Sequence, residues 1–265
     1  MHLFYVSAYV SLFVYAVAGR YTSRTAGNCM PLHTNFSPGS VASRSSAPGS
    51  SPFIAVSPEG SYSTTDGGLK LFLQRPSGKI TTDGGVNDKV AEGATINSTF
   101  TMLYGKLTVE VSGSTVSGIV SAAILIAEEH DEIDVELVGG DQTNWQTNVY
   151  APSPSDKEPL WGVFGEIENL PARGSIADMH QYTIDWSAER IVWSVDGRVV
   201  RTLRPEDTRK NGTLHYPSHP SRVQLGIWDA SSPQGTAEWA NGPVNWERAP
   251  ERMSAVVRSV TVECP

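Results

Sequence analysis

The sequence has few charged residues, two cysteines and no apolar stretch as long as the roughly 20 residues that span a bilayer. Only 18% of the 265 residues are charged, and acidic residues outnumber basic ones by 28 to 20. The net charge of −8 argues against a nucleic-acid partner. No C-x-x-C, H-E-x-x-H, G-x-S-x-G or phosphate-binding glycine motif occurs, so the sequence predicts no metal site and no cofactor.

Sustained helical periodicity and internal repeats are also missing, whereas 24 glycines and 17 prolines favour a turn-rich fold. The length suits one domain with a large core. Nine runs have the alternation and composition of strands: 69–74, 106–111, 119–126, 132–138, 181–186, 190–195, 198–203, 222–228 and 255–263. Many short strands predict an all-β sandwich or barrel. The Ser, Pro and Gly content of residues 37–52 predicts a flexible loop.

The N-terminal residues have the pattern of an export signal. Leu3 to Val17 is almost wholly apolar, and the small residues Ala16 and Ala18 suit a signal peptidase. We therefore predict a signal peptide over 1–18 and one secreted domain over 19–265. A membrane anchor is the alternative, since the first residues carry no Lys or Arg, but the run is shorter than the roughly 20 residues that span a bilayer.

Two further features fit an oxidising, extracellular compartment. Cys29 and Cys264 are the only cysteines, and they form either one disulfide or two free thiols. Three N-x-S/T sequons begin at Asn35, Asn97 and Asn211 and are candidate glycosylation sites.

The segment 130–141, HDEIDVELVGGD, alternates acidic and apolar residues. Residues two apart on a strand point to the same side of the sheet. The apolar residues of this segment are therefore expected to point into the core, and the acidic residues to the opposite side. The acidic face is predicted to carry four residues: His130, Glu132, Asp134 and Glu136. A charged edge strand that resists aggregation is one interpretation. A metal site is another, although three ligands on a flat strand wrap an ion poorly.

Glycosidic-bond chemistry is the third interpretation. A retaining glycosidase needs two carboxyl groups ~5–5.5 Å apart, one as nucleophile and one as acid and then base. Glutamates four apart on a strand have Cα atoms ~13 Å apart, and their long side chains close most of that gap over a curved sheet. Crowded anions also raise one another's pKa, which keeps one Glu protonated near neutral pH.

The segment Glu132-Ile133-Asp134-Val135-Glu136 resembles the E-x-D-x-E strand of glycoside hydrolase family 16, whose members are concanavalin-like β-sandwiches (jelly rolls) of two curved antiparallel sheets with a concave cleft. Further resemblance lies in Gln146-Thr147-Asn148, in the H-x-Y-x-I-x-W … V-D-G-x-x-V-R hairpin of 180–201, and in 226–246. The last segment and 118–126 are closest to fungal Crh-type chitin–glucan transglycosylases.

The resemblance implies that Glu132 is the nucleophile, Asp134 the assisting residue and Glu136 the acid/base. It implies a secreted wall enzyme acting on β-glucan or chitin, with an oligosaccharide or water as acceptor. We also expect a monomer that has no stable membrane association once the signal peptide is cleaved. Two alternatives are an endo-β-1,3(4)-glucanase and a non-catalytic, lectin-like glucan-binding module. A structural calcium ion is possible in this fold, but no residue indicates one.

Candidate sugar contacts come from the same stretch and from the aromatic residues. Exposed rings stack on the apolar faces of pyranoses, and rings in loops or at strand ends are the best candidates. The predicted substrate-binding residues are His130, Trp145, Gln146, Asn148, Tyr150, Trp161, Trp228, Glu238 and Trp239. Trp186, Trp193 and Trp246 are instead expected to pack in the core.

Overall fold

The computed structural model describes residues 29–46, 49 and 51–265, and almost all of its regular structure is strand. Over these residues the strands are β1 (Leu32–Thr34), β2 (Val41–Ala42), β3 (Phe53–Ala55), β4 (Tyr62–Thr65), β5 (Gly68–Gln74), β6 (Thr82–Asp83), β7 (Val86–Asn87), β8 (Thr95–Ser98), β9 (Gly105–Ser112), β10 (Ile119–Ala127), β11 (Glu132–Val138), β12 (Asn144–Tyr150), β13 (Glu166–Asn169), β14 (His180–Trp186), β15 (Ile191–Val195), β16 (Arg198–Leu203), β17 (Arg209–Lys210), β18 (Thr213–Leu214), β19 (Ser221–Asp229) and β20 (Arg252–Glu263). One α-helix, α1 (Gln234–Trp239), and two 3₁₀ turns, Pro171–Arg173 and Pro205–Thr208, complete it.

Two eight-stranded sheets form the sandwich. The cleft sheet has the order β13-β12-β11-β10-β19-β8-β3-β2. The back sheet has the order β16-β15-β14-β9-β20-β5-β4, with β1 beside β20. Apart from the parallel pair β2–β3, neighbouring strands are antiparallel. The prediction of an all-β sandwich is confirmed.

Alternation builds the core between the sheets. In β9 and β19 every second residue is buried, so each strand gives one face to the core and one to the outside. The largest fully buried side chains include Trp145, Trp186 and Trp193. The predicted packing role of Trp186 and Trp193 is confirmed, as is that of Trp246, which is 4% exposed.

A disulfide joins the two ends of the described chain. Cys29 and Cys264 are bonded, with Cα atoms 5.5 Å apart. The bond lies beside the pairing of β1 with β20, which brings residues 32–34 against residues 260–262. Sequence left two states open for these cysteines, and the structure has the bonded one.

All nine predicted strands are present, within three residues at each end. Several strands were not predicted, including β3, β8 and β12, and the predicted loop of 37–52 contains the short strand β2. The predicted signal peptide lies outside the described residues. Within the part of the chain that is described, no helix is long and apolar enough to cross a membrane.

The three sequons have different surroundings. Asn35 and Asn211 are exposed, and Asn211 lies in the turn between β17 and β18. Asn97 is half-buried on β8, where its side-chain oxygen accepts a hydrogen bond of 2.9 Å from Gln224 Nε2. The occupancy of each site stays a prediction.

Candidate active site

The acidic face of β11 lies in the middle of the cleft sheet, with cross-strand neighbours fixed by register. Glu132 pairs with Tyr150, Asp134 with Asn148, and Glu136 with Gln146 on β12. On the opposite side of β11, the neighbours from β10 are Ile126, Ile124 and Ala122 in the same order. Since cross-strand partners share a face, the three carboxylates are bordered by amides and an aromatic ring on one side and by apolar residues on the other.

Burial sets the electrostatics of this row. Glu132 is 9% exposed and Asp134 is 3% exposed. Burial raises the pKa of Glu132 to about 7, against a smaller lowering by its hydrogen bond with Asp134. Burial, followed by the nearby charge of Glu132, raises the pKa of Glu136 to about 8. The pKa of Asp134 lies well above its ordinary range, first through burial and then through its two acidic neighbours.

The back sheet holds the acidic strand from behind. Trp193 on β15 crosses the core and donates its indole N–H to the backbone oxygen of Asp134, at 3.0 Å. Arg201 on β16 lies over the Trp193 ring, 4.7 Å from its centroid. The same guanidinium donates to the Thr147 hydroxyl at 2.9 Å, on the strand that carries Gln146 and Asn148. A buried cation and an indole therefore fix the backbone beneath the carboxylates.

Two aromatic pairs lie near opposite ends of the acidic row. Tyr150, the neighbour of Glu132, stacks on Trp161 with ring centroids 4.0 Å apart. Trp228 stacks on Trp239 at 5.9 Å. Trp239 also donates its indole N–H to Gln146 Oε1 at 2.9 Å, and Gln146 is the neighbour of Glu136. The structure thus brings these four rings, Gln146 and Asn148 together around the carboxylates.

Three predicted sugar contacts do not join this group. Trp145 alternates with Gln146 and so faces the core, where it is fully buried against Tyr182; its prediction as a sugar contact is wrong. The strand begins at Glu132, and His130 precedes it in a turn with φ of 72°, so the alternation that placed His130 on the acidic face does not reach it. Glu238 is exposed and accepts a hydrogen bond from Gln234 one turn earlier in α1.

A pocket beside the carboxylates contains residues that sequence reasoning missed. Its volume is about 50 Å³. Its lining is Thr95, Ala122, Ile124, Glu132, Glu136, Gln224, Gly226 and Trp228. The available signal was the glycine in the middle of the predicted strand 222–228, since a strand glycine often marks close approach of a ligand.

These features suit acid–base chemistry on a neutral, extended ligand. A carboxyl group with a pKa of about 8 is protonated at neutral pH and can donate to a leaving oxygen. A neighbouring carboxylate with a pKa of about 7 is partly ionised there and can act as a nucleophile. Stacked rings on both sides provide surfaces for sugar rings.

Comparison with known proteins agrees with this chemistry. The model of the family described as glycosyl hydrolases family 16 matches residues 53–248. Crh-like protein 2 of Aspergillus fumigatus is 37% identical over 185 residues, covering 66% of this chain and 41% of that protein. The chain spans about two fifths of the length of the first curated relatives it matches.

The structure is also similar to solved structures over most of its length. Apo Crh5 transglycosylase is 28% identical, with a TM-score of 0.67 over 90% of this chain and 86% of that one. Crh5 transglycosylase in complex with NAG has a TM-score of 0.68 at 27% identity, with the same coverage.

Proposed function

The chain belongs to glycosyl hydrolases family 16, and from that premise we propose that it is a retaining glycosidase or transglycosylase of β-linked wall polysaccharide. The observation that carries the proposal is the row of buried Glu132, buried Asp134 and half-buried Glu136 on the cleft face of one strand. The similarity to Crh-like proteins and to Crh5 transglycosylase supports β-glucan or chitin as the polysaccharide.

In the first step, a carboxylate oxygen of Glu132 attacks the anomeric carbon, and the bond from that carbon to the glycosidic oxygen breaks. Glu136 gives its proton to the leaving oxygen, so the departing sugar carries a hydroxyl group. In the second step, ionised Glu136 takes the proton of an acceptor hydroxyl, whose oxygen displaces Glu132 from the anomeric carbon. Asp134 hydrogen-bonds Glu132 and holds it in position.

The acceptor decides whether the product is a new polymer or a hydrolysed one. A sugar hydroxyl gives transglycosylation, and water gives hydrolysis. The stacked pairs Tyr150–Trp161 and Trp228–Trp239 flank the row and offer surfaces on which an acceptor sugar can compete with water. This supports transglycosylation as the main reaction, with endo-β-1,3(4)-glucanase activity as its hydrolytic counterpart.

We also propose that the protein is secreted and acts as a monomer, without stable membrane association. The Cys29–Cys264 disulfide supports an oxidising compartment. Exposed Asn35 and Asn211 are the accessible glycosylation candidates.

The test incubates the secreted protein with laminarin, mixed-linkage glucan or chitin as donor, together with fluorescent chitin and glucan oligosaccharides as acceptors. The Glu132→Gln variant is the matched control. Labelled polymer from wild type alone supports a transglycosylase that works through Glu132. New reducing ends without labelled polymer indicate a hydrolase. Bound polymer with neither product on any donor contradicts the proposal and favours a lectin-like module.

A further inference from the structure

The loop 151–165 joins β12 to β13 and carries one ring of an aromatic pair at the site. Trp161, in this loop, lies on Tyr150, the last residue of β12, with ring centroids 4.0 Å apart. The loop contains no strand or helix that could fix its path by backbone hydrogen bonds. Side-chain contacts to the loop therefore decide where the Trp161 ring lies.

His215, directly after β18, contacts this loop from outside it. The His215 side chain is 1% exposed. Its Nδ1 lies 2.9 Å from the backbone oxygen of Ala151, at the start of the loop. Its Nε2 lies 3.6 Å from Asp156 Oδ1, in the middle of the loop. Its ring centroid lies 5.9 Å from that of Phe164, near the end of the loop. One buried imidazole therefore meets the loop at three points.

The two nitrogens of His215 face two hydrogen-bond acceptors, a carbonyl oxygen and a carboxylate oxygen. A neutral imidazole donates through one nitrogen only, whereas a protonated imidazole donates through both. Asp156 Oδ1 and His215 Nε2 are both buried, and neither makes a hydrogen bond with any described residue. Two buried acceptors that face each other lower stability, and a proton between them makes a charge-assisted contact. The protonated ring is therefore the form that satisfies both sides.

On the cleft side, the charge of Asp156 acts on the aromatic pair. Burial, followed by the charges of Asp156 and Glu132, raises the pKa of Tyr150. Asp156 therefore lies close enough to Tyr150 to influence its hydroxyl, and Tyr150 is the ring on which Trp161 stacks. A movement of the Asp156 carboxylate would change the surroundings of both rings.

On the other sides of the imidazole, the charged groups have partners of their own. Arg201 of β16 donates to the Phe164 backbone oxygen at 2.6 Å. In the second 3₁₀ turn, Glu206 pairs with Arg209 of β17 at 3.0 Å. In the described part of the chain, the carboxylate in the loop is thus the charged group that meets the His215 ring.

We propose that His215 is a positioning residue: in its protonated form it bridges the Ala151 carbonyl and the Asp156 carboxylate, and so holds Trp161 on Tyr150. This inference rests on the proposed function, in which that aromatic pair receives the acceptor sugar. Histidine is the side chain that changes its charge between about pH 5 and 8. Loss of the proton over this range removes one of the two donors and frees the middle of the loop. KM for the acceptor should therefore rise with pH.

The first test measures KM for a fluorescent chitin or glucan oligosaccharide acceptor between about pH 5 and 8, in wild type and in Asp156→Asn. Asp156 Oδ2 accepts the backbone N–H of Ser153 at 2.9 Å, so the amide of the variant turns its oxygen there and its NH₂ towards His215. That NH₂ donates to a neutral imidazole but not to a protonated one. With rising pH, KM should rise about 3–10-fold in wild type, the effect of losing one ring stack, and should fall in the variant.

The titration of Glu132 and Glu136 is common to both proteins, so the comparison isolates the bridge. The same pH dependence in both proteins, or a KM of wild type that does not change with pH, overturns the inference and leaves the proposed function intact.

His215→Phe tests whether the effect passes through Trp161. The variant keeps a ring against Phe164 but has no nitrogen, so KM for the acceptor should be raised about 3–10-fold at low pH. Added to Trp161→Ala, the same change should raise KM no further, because residues that act through one contact are not additive. His33→Gln, at an exposed histidine that bonds Thr261 on the back sheet, is the matched control and should behave as wild type. Additive losses overturn the positioning role.

A measurement independent of turnover follows the proton itself. Nitrogen NMR of the imidazole rings, with the His215→Phe spectrum to identify the signal, should show both ring nitrogens of His215 protonated at about pH 5. A ring that carries a single proton from there to about pH 8 overturns the inference. Failure of wild type to use any acceptor overturns the proposed function, and with it the role of His215, whatever the NMR result.

Discussion

The two faces of β11 share one backbone but differ in chemistry: one carries apolar side chains and the other carries carboxyl groups. Ile133, Val135 and Leu137 are buried against the back sheet, where burial of apolar side chains stabilises the fold. Glu132 and Asp134 are nearly as buried on the other face, where burial raises the pKa of each carboxyl and disfavours its charge. Apolar burial on the core face therefore stabilises the folded protein, whereas burial of ionisable carboxyl groups on the acidic face lowers its stability. Substitutions on the two faces should separate activity from stability.

The largest effect is expected on the acidic face. Glu136→Gln removes the proton donor and should lower turnover of natural oligosaccharide donors by about 10²–10⁴-fold. An aryl glycoside has a leaving group that needs no proton, so its first step should recover and give a burst of released phenol. Glu189→Gln, an exposed carboxylate on the turn between β14 and β15, is the control and should behave as wild type. An equal loss with both donors would show that Glu136 is not the acid.

The core face of the cleft sheet, here on the neighbouring strand β12, should show the reverse. Trp145→Ala removes a fully buried indole that packs edge-on against Tyr182. We expect a loss of about 3–5 kcal/mol in the free energy of unfolding, measured by denaturant titration. Glycosidase activity at a temperature where the variant is folded should change little. A loss below 1 kcal/mol would contradict the core assignment of Trp145.

Because folding raises the pKa of the Glu136 carboxyl group, the free energy of unfolding should depend on pH. The pKa of Glu136 rises on folding from 4.5 to about 8. The folded protein therefore binds this proton more tightly than the unfolded chain. Stability from this group is full below about pH 4.5 and is lost as the pH rises towards 8. Glu136→Gln, which cannot ionise, should be more stable than wild type by up to roughly 4 kcal/mol at pH 8 and nearly equal to it at pH 4. A pH-independent difference in melting temperature would contradict the raised pKa.

The smallest effect is expected at the edge of the site. Trp161→Ala leaves Tyr150 in place but removes the ring stacked on it at 4.0 Å. Because a stacked ring contributes about 0.5–1.5 kcal/mol, KM for the acceptor should rise about 3–10-fold with little change in stability. Val199→Ala, an exposed apolar residue on β16 of the back sheet, is the control. An unchanged KM would remove Trp161 from the acceptor surface.

Sequence alternation predicted the two faces of β11 because its period is the period of a strand. The same rule separates Trp145 from its neighbour Gln146, but the sequence does not predict a strand at β12, and both residues are therefore predicted as sugar contacts. The polar residues on the cleft face of β12, Asn144, Gln146 and Asn148, give this segment the composition of a loop. Short edge strands such as β2 carry too few residues to show a pattern.

Long-range features were out of reach for a different reason. The hydrogen bond from Trp193 to the Asp134 backbone joins residues 59 positions apart, and the pocket beside Glu136 depends on the register of β10 with β19. Neither leaves a local signal. The disulfide was an open alternative for the same reason, since pairing of Cys29 with Cys264 follows from the pairing of β1 with β20.

The most direct test of the acidic face is to trap its covalent intermediate. Glu136→Gln should react with an aryl glycoside and then accumulate the glycosyl-enzyme, because no base remains to activate an acceptor. Intact-protein mass spectrometry should show the added mass of one glycosyl unit, and peptide mapping should locate it on Glu132. The double variant Glu132→Gln, Glu136→Gln should gain no mass. Release of phenol without any adduct, or an adduct on another residue, would contradict the account.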